Sequence, residues 1–160
     1  MRHQHEASAR SAGPIRGITV MELLVVIALI TVLAAIALPS FITWRRSAVY
    51  RQTTRDIVMV LREAKSRAIS TNREHRVELE PSKRMYRITQ GNRASNSTEW
   101  GAVVPDWTVL PAEVVLNTNV LNIQMNTDGT ANGGTISIQD ISAVTMHEIK
   151  IARTGRIRTT

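Results

Sequence analysis

The sequence predicts an α+β protein: one long N-terminal helix, transmembrane in its first half and amphipathic in its second, packed on a small antiparallel β-rich head. Three observations predict it. Residues 18–38 form an almost unbroken apolar run. Ile57, Leu61, Ala64 and Ala68 then recur at spacings of 4, 3 and 4, one face of a helix. Beyond residue 74 the apolar positions change to period two, the signature of half-buried strands. The 160 residues suit one domain of ordinary size. Aromatics are only 4%, so the core must be aliphatic.

The apolar run reads Ile18 to Leu38, with Thr19, Glu22 and Thr31 its only polar residues. As a helix it would be about 31 Å long, enough to cross a hydrocarbon core of about 30 Å. It is apolar on every face, and a chain of this size rarely encloses a helix on all sides. A membrane span is therefore expected. A secretory signal would have a shorter apolar stretch, of about 7–15 residues. Arg2, Arg10 and Arg16 precede the run, and Arg45, Arg46 and Arg51 follow it, so charge alone leaves its orientation open. Glu22 stands near its start, where a carboxylate in hydrocarbon is costly. It has no Lys or Arg within a turn on its C-terminal side. A cut after Gly17 would place a new α-amino group on Ile18, four positions away.

Gly17-Ile18-Thr19-Val20-Met21-Glu22, the apolar run that follows and its ending Ala37-Leu38-Pro39-Ser40-Phe41 resemble a type IV prepilin signal. The resemblance implies that a prepilin peptidase cuts between Gly17 and Ile18 on the cytoplasmic side. Ile18 is then N-methylated, and Glu22, now the fifth residue, helps assembly with other pilins or pseudopilins into a helical filament. Major pilins usually have phenylalanine where Ile18 stands. The implied organisation is a leader at 1–17, a transmembrane and filament-core helix at 18–38, its amphipathic continuation at 39–73 and a periplasmic head at 74–160. Losing three arginines and one glutamate with the leader lowers the net charge from +7 to +5.

Pro39 lacks an amide donor, so it should kink or break the helix. Ser70-Thr71-Asn72 is the expected stop. Leu61 to Ile69 resembles the corresponding helix of the GspH/FimT group of minor pseudopilins. In the head, Val77 and Leu79 alternate with polar neighbours, as do Tyr86 and Ile88, and Pro81-Ser82-Lys83-Arg84 is the turn between them. Gly91–Thr98 reads as a loop. Further strands are expected at Trp107–Leu110, Val114–Leu116, Leu121–Met125, Thr135–Gln139, His147–Ala152 and Arg156–Thr159, with a tight turn at Thr154-Gly155. Trp100-Gly101, Trp107, Asn126–Thr130, Gly133–Ile136 and Thr154–Arg158 follow the order of landmarks in the same group, so the resemblance covers 17–160.

Charge is segregated. Residues 44–93 hold 13 Lys and Arg against 5 acids; residues 94–149 hold no Lys or Arg and 6 acids. The last eleven residues carry Lys150, Arg153, Arg156 and Arg158 and no acid. Such a patch suits phosphates, because guanidinium groups make paired bonds to oxyanions. It equally suits a solvated face. In pilins of the FimT type a glycine-arginine-any-arginine ending is associated with DNA binding during natural transformation. Here it stands as Gly155-Arg156-Ile157-Arg158, with Lys150 and Arg153 alongside. Similar endings occur widely among pseudopilins, where packing or subunit contacts account for them.

No catalytic constellation is visible. There is no cysteine, hence no disulfide, thiolate zinc site or cysteine nucleophile. No HExxH, GxSxG or P-loop spacing occurs, and neither His75 nor His147 has a catalytic neighbour. Asp128-Gly129 lacks the alternating oxygen ligands of a calcium loop and reads as a turn. No cofactor or metal is expected. Three functions fit: a minor pilin of the inner membrane and pilus that takes part in DNA uptake or in filament initiation, a type II secretion pseudopilin contacting proteins only, and a membrane-anchored solute-binding or structural domain with no filament role.

Overall fold

The computed structural model describes residues 17–103 and 106–160. The leader expected at 1–17 lies outside the described residues except for Gly17. Two compact units are separated between Ile42 and Thr43.

A single helix, α1, runs from Val20 to Thr71. Its start is built by Thr19. The Glu22 amide donates to Thr19 Oγ1 at 3.2 Å, and the Leu23 amide donates to the Thr19 carbonyl at 3.1 Å. Thr19 is thus an N-cap with Glu22 at the third helical position, the spacing of a capping box. Thr31, in the apolar run, donates its hydroxyl to the Ile27 carbonyl at 2.8 Å, so it leaves no unpaired donor. Ile18, Val20, Leu24, Leu29 and Leu33 are among many exposed apolar side chains here. No single helix among the described residues is long and apolar enough to cross a membrane. The two stretches Val20–Ile36 and Phe41–Thr71 are so when taken together, by length and composition only.

From Thr43 onward the chain forms the head. Asn72, left-handed at φ 52°, ends α1. Among the described residues nine strands follow: β1 His75–Glu80, β2 Met85–Gly91, β3 Trp100–Ala102, β4 Thr108–Val109, β5 Val115–Thr118, β6 Asn122–Met125, β7 Gly134–Gln139, β8 Thr145–Ile151 and β9 Ile157–Thr159. They make two antiparallel sheets, β3-β2-β1-β6 with β4 also on β2, and β5-β7-β8-β9. The expected first hairpin is present, with Val77 opposite Ile88 and Leu79 opposite Tyr86. Its turn is a 3-10 segment, Pro81–Lys83, closed by Arg84 in the left-handed region.

One core joins helix and sheets. Ile57, Leu61, Ala64 and Ala68 of α1 are buried with Val77 and Leu79 of the first sheet and with Ile136, Ile138, Ile149 and Ile151 of the second. Thr54 is buried too; its hydroxyl donates to the Tyr50 carbonyl at 2.8 Å. His75 is a core filler, its Nδ1 3.0 Å from the Arg73 carbonyl. Buried Glu74 accepts from the Asn96 and Ser97 amides at 3.0 and 2.7 Å and from Gln124 Nε2 at 2.9 Å, which fixes the 92–97 loop.

The outer face of the first sheet carries a charged ladder. Glu78 is bonded by Arg76 on its own strand and by Arg87 Nε on β2 at 2.6 Å. The two guanidinium groups lie 4.2 Å over Trp100 and 4.4 Å over Trp107. Burial pushes the Glu78 pKa up, but the bonds from Arg87 and Arg76 and their positive charge outweigh it and hold the pKa below the ordinary 4.5. A depressed carboxylate gives stability that is complete above its unfolded pKa and lost as pH falls through its folded one. Denaturant titrations should therefore show a stability loss beginning near pH 4.5 and deepening below it. Glu78→Gln should flatten that part of the profile; an unchanged slope would show that the ladder contributes nothing.

Candidate functional site

Two places in the chain carry the residues singled out by the sequence. The first is the start of unit one. Gly17 and Ile18 precede the helix; both are exposed, and nothing lies within 4 Å of where a Gly17 side chain would begin. The bond between them is thus outside regular structure and uncrowded. Glu22 is exposed one turn into α1. Its backbone is engaged by the Thr19 cap, a role that the Thr-x-x-Glu spacing signals in sequence but that charge counting missed.

The second is the β8–β9 hairpin. Lys150 stands directly opposite Arg158, and Thr135 on β7 stands opposite Lys150 on its other side. Arg156 is two residues before Arg158, so both side chains leave the same face of the sheet while Ile157 turns to the other. Lys150, Arg156 and Arg158 line one groove with Asn119, Thr135 and Thr154. Lys150 is bound to Glu148 at 2.8 Å. Neither Arg156 nor Arg158 has an ion pair among the described residues. Arg153 does not line this groove. Its stem lies 3.4 Å from where a Gly133 side chain would begin, and its carbonyl accepts from the Ala131 amide at 2.9 Å.

Gly155 makes the turn. Its φ is +71°, a region costly for other L residues, and its amide donates to the Ala152 carbonyl at 2.9 Å. It is buried. A Cβ there would stand 1.9 Å from the Gly129 carbonyl oxygen. Lys65 of α1 donates its ammonium to the Gly155 carbonyl at 3.0 Å. The Asn126–Thr130 turn, the β8–β9 turn and the helix therefore meet at one point, and glycine is required there by packing. In sequence Lys65 is only one of the 13 Lys and Arg of residues 44–93; its part in this junction appears only in three dimensions. Asp128 is occupied within its own turn, accepting from the Thr130 amide and hydroxyl at 2.8 and 2.6 Å. Among the described residues no group of three acidic, histidine or cysteine side chains could hold a metal ion.

No curated protein matches the chain. Solved structures do. The minor pseudopilin EpsH from the type 2 secretion system of Vibrio cholerae superposes with a TM-score of 0.57 at 13% identity, over 70% of this chain and 96% of that one. The type IV minor pilin FimU of Pseudomonas aeruginosa gives 0.54 at 18%, over 69% and 91%. The solution structure of Escherichia coli GspH gives 0.60 at 11%, over 71% and 89%. At these identities the likeness is one of fold. The family described as Type II transport protein GspH matches residues 53–155, from the buried threonines of α1 to the glycine of the last turn. That span is well over half of the sequence, and the chain belongs to the GspH family.

Proposed function

We propose that the chain is a minor pilin whose apolar stem, freed of its leader by a prepilin peptidase cut between Gly17 and Ile18, leaves the inner membrane to pack among other stems, and whose head binds DNA during uptake. The observation that carries the DNA reading is the array on the outer face of β8 and β9: Arg156 and Arg158 side by side, unpaired among the described residues, with Lys150 across from Arg158. Guanidinium groups so arranged bind successive phosphates without reading bases. Gly155 supports the array by fixing the turn, and Arg153 adds positive charge beside it.

The test is retention of duplex DNA by the full chain in detergent. With about three phosphates engaged, log K against log salt should slope near −3. Arg156→Gln with Arg158→Gln should cut retention at least tenfold and leave the circular dichroism melt unchanged. Retention by that variant equal to the parent's at low salt would dismiss the reading.

A second reading is a type II secretion pseudopilin with protein partners only. The family match favours it, since the family is described by type II transport. In that case the parent itself should show no salt-sensitive DNA retention, while the cut at Gly17 and the role of Glu22 in assembly would stand. N-terminal sequencing of the protein from its own cells should begin at Ile18 under either reading.

A further inference from the structure

The second sheet ends at β9, and the far side of that strand faces a groove. The Glu148 and Thr160 amides and carbonyls bond each other at 3.1 and 2.9 Å, and the Ala152 amide donates to the Arg156 carbonyl at 2.9 Å. In an antiparallel pair these close pairs alternate with open ones. Residues 156, 158 and 160 thus turn their backbone groups to β8, and Ile157 and Thr159 turn theirs outward. No strand lies beyond β9 among the described residues. The side chains of Ile157 and Thr159 enter a groove whose other wall is α1.

That wall is basic. Arg51, Arg55 and Arg62 lie on one stripe of the helix, at spacings of four and seven, with exposed Met59 between the last two. None of the three arginines has an ion pair among the described residues, and no Asp or Glu lines the groove. Arg51 to Arg62 spans about 16 Å of helix, the length of about five residues of strand. The groove is on the opposite face of β9 from Arg156 and Arg158, so it is distinct from the array discussed above.

We infer that this groove receives an extended acidic segment of a partner protein, added as a further strand on β9. The outward amides and carbonyls of Ile157 and Thr159 pair with its backbone. Every second side chain of such a strand faces α1, and carboxylates at those positions meet Arg51, Arg55 and Arg62. Backbone pairing gives it direction, and the arginine stripe gives it charge selection. The inference does not depend on whether DNA is bound at Arg156 and Arg158.

The test uses the full chain in detergent micelles and a fluorescein-labelled ten-residue peptide alternating Glu and Val. Anisotropy should show saturable binding that a Lys-Val peptide of the same design lacks. Methylating alternate backbone amides of the Glu-Val peptide, which keeps its charge, should weaken binding at least tenfold. Arg55→Glu with Arg62→Glu should do the same and create binding of the Lys-Val peptide; both residues are exposed, and that gain cannot come from misfolding. Equal binding of the two peptides, indifference to backbone methylation, or no binding at millimolar peptide would overturn the inference. So would a double charge reversal that abolishes DNA retention and leaves peptide binding intact, which would make the groove part of a nucleic-acid surface.

Discussion

Gly155→Ala is expected to destabilise the head by roughly 3 kcal/mol or more, through left-handed backbone strain and a clash with backbone that has no rotamer to yield. The new methyl would begin 1.9 Å from the Gly129 carbonyl oxygen at a φ of +71°. Relief requires the Asn126–Thr130 turn and the β8–β9 turn to part, which also strains the Lys65 bond that ties the β8–β9 turn to α1. The thermal midpoint, followed by far-ultraviolet circular dichroism in detergent, should fall on the order of 10 °C. DNA retention should fall in step with the folded fraction. That separates the glycine from the arginines after it, whose replacement should remove retention and leave the melt alone. A Gly155→Ala protein with a parental melt and no DNA retention would contradict the packing account.

Leu61→Ala should have a cost of the same order. Leu61 is 0% exposed and sits in the cluster that joins α1 to both sheets. Deleting its branched end removes transfer energy and leaves a cavity, about 2–5 kcal/mol together. Many members of that cluster are isoleucines and valines on paired strands, stiff at χ1, so relaxation is limited. Urea titration of the full chain should show a lower midpoint with little change in slope. An exposed position on the same helix, Arg67→Ala, should shift the midpoint by at most a few tenths of a kcal/mol, since its ion pair with Glu63 is solvated. Equal midpoints for the two variants would mean that this face of the helix does not seal the core.

The helix was legible because its apolar residues keep period 3.6 over the buried turns. The residues expected inside, Ile57, Leu61, Ala64 and Ala68, are all buried. The strands at Val77, Tyr86, Leu121, Thr135, His147 and Arg156 were legible from alternation and from the glycine turns between them, with some ends coinciding and others shifted by a residue or more. β3 was not legible. It is three residues long, has Gly101 at its centre and exists through pairing with β2. The division into two sheets was equally hidden, because alternation within a strand does not say which neighbour it takes. Thr54 and Glu74 carry side chains that signal surface; they are buried because partners absent from the local pattern satisfy them, a turn away for Thr54 and more than twenty residues away for Glu74. In the candidate site, the common face of Arg156 and Arg158 followed from alternation. Placing Lys150 opposite Arg158 needed the turn register, and the departure of Arg153 toward Gly133 needed the fold.

The stacking of Arg76 on Trp100 and of Arg87 on Trp107 has a practical consequence for spectroscopy. Trp44, the third indole, is 62% exposed, and none of the three belongs to the buried cluster. Intrinsic emission will therefore report on the solvent-facing side of one sheet and on the stem side of the head, and it will register little when the aliphatic interior loosens. A variant that looks native by its indole signal can still have lost its packing.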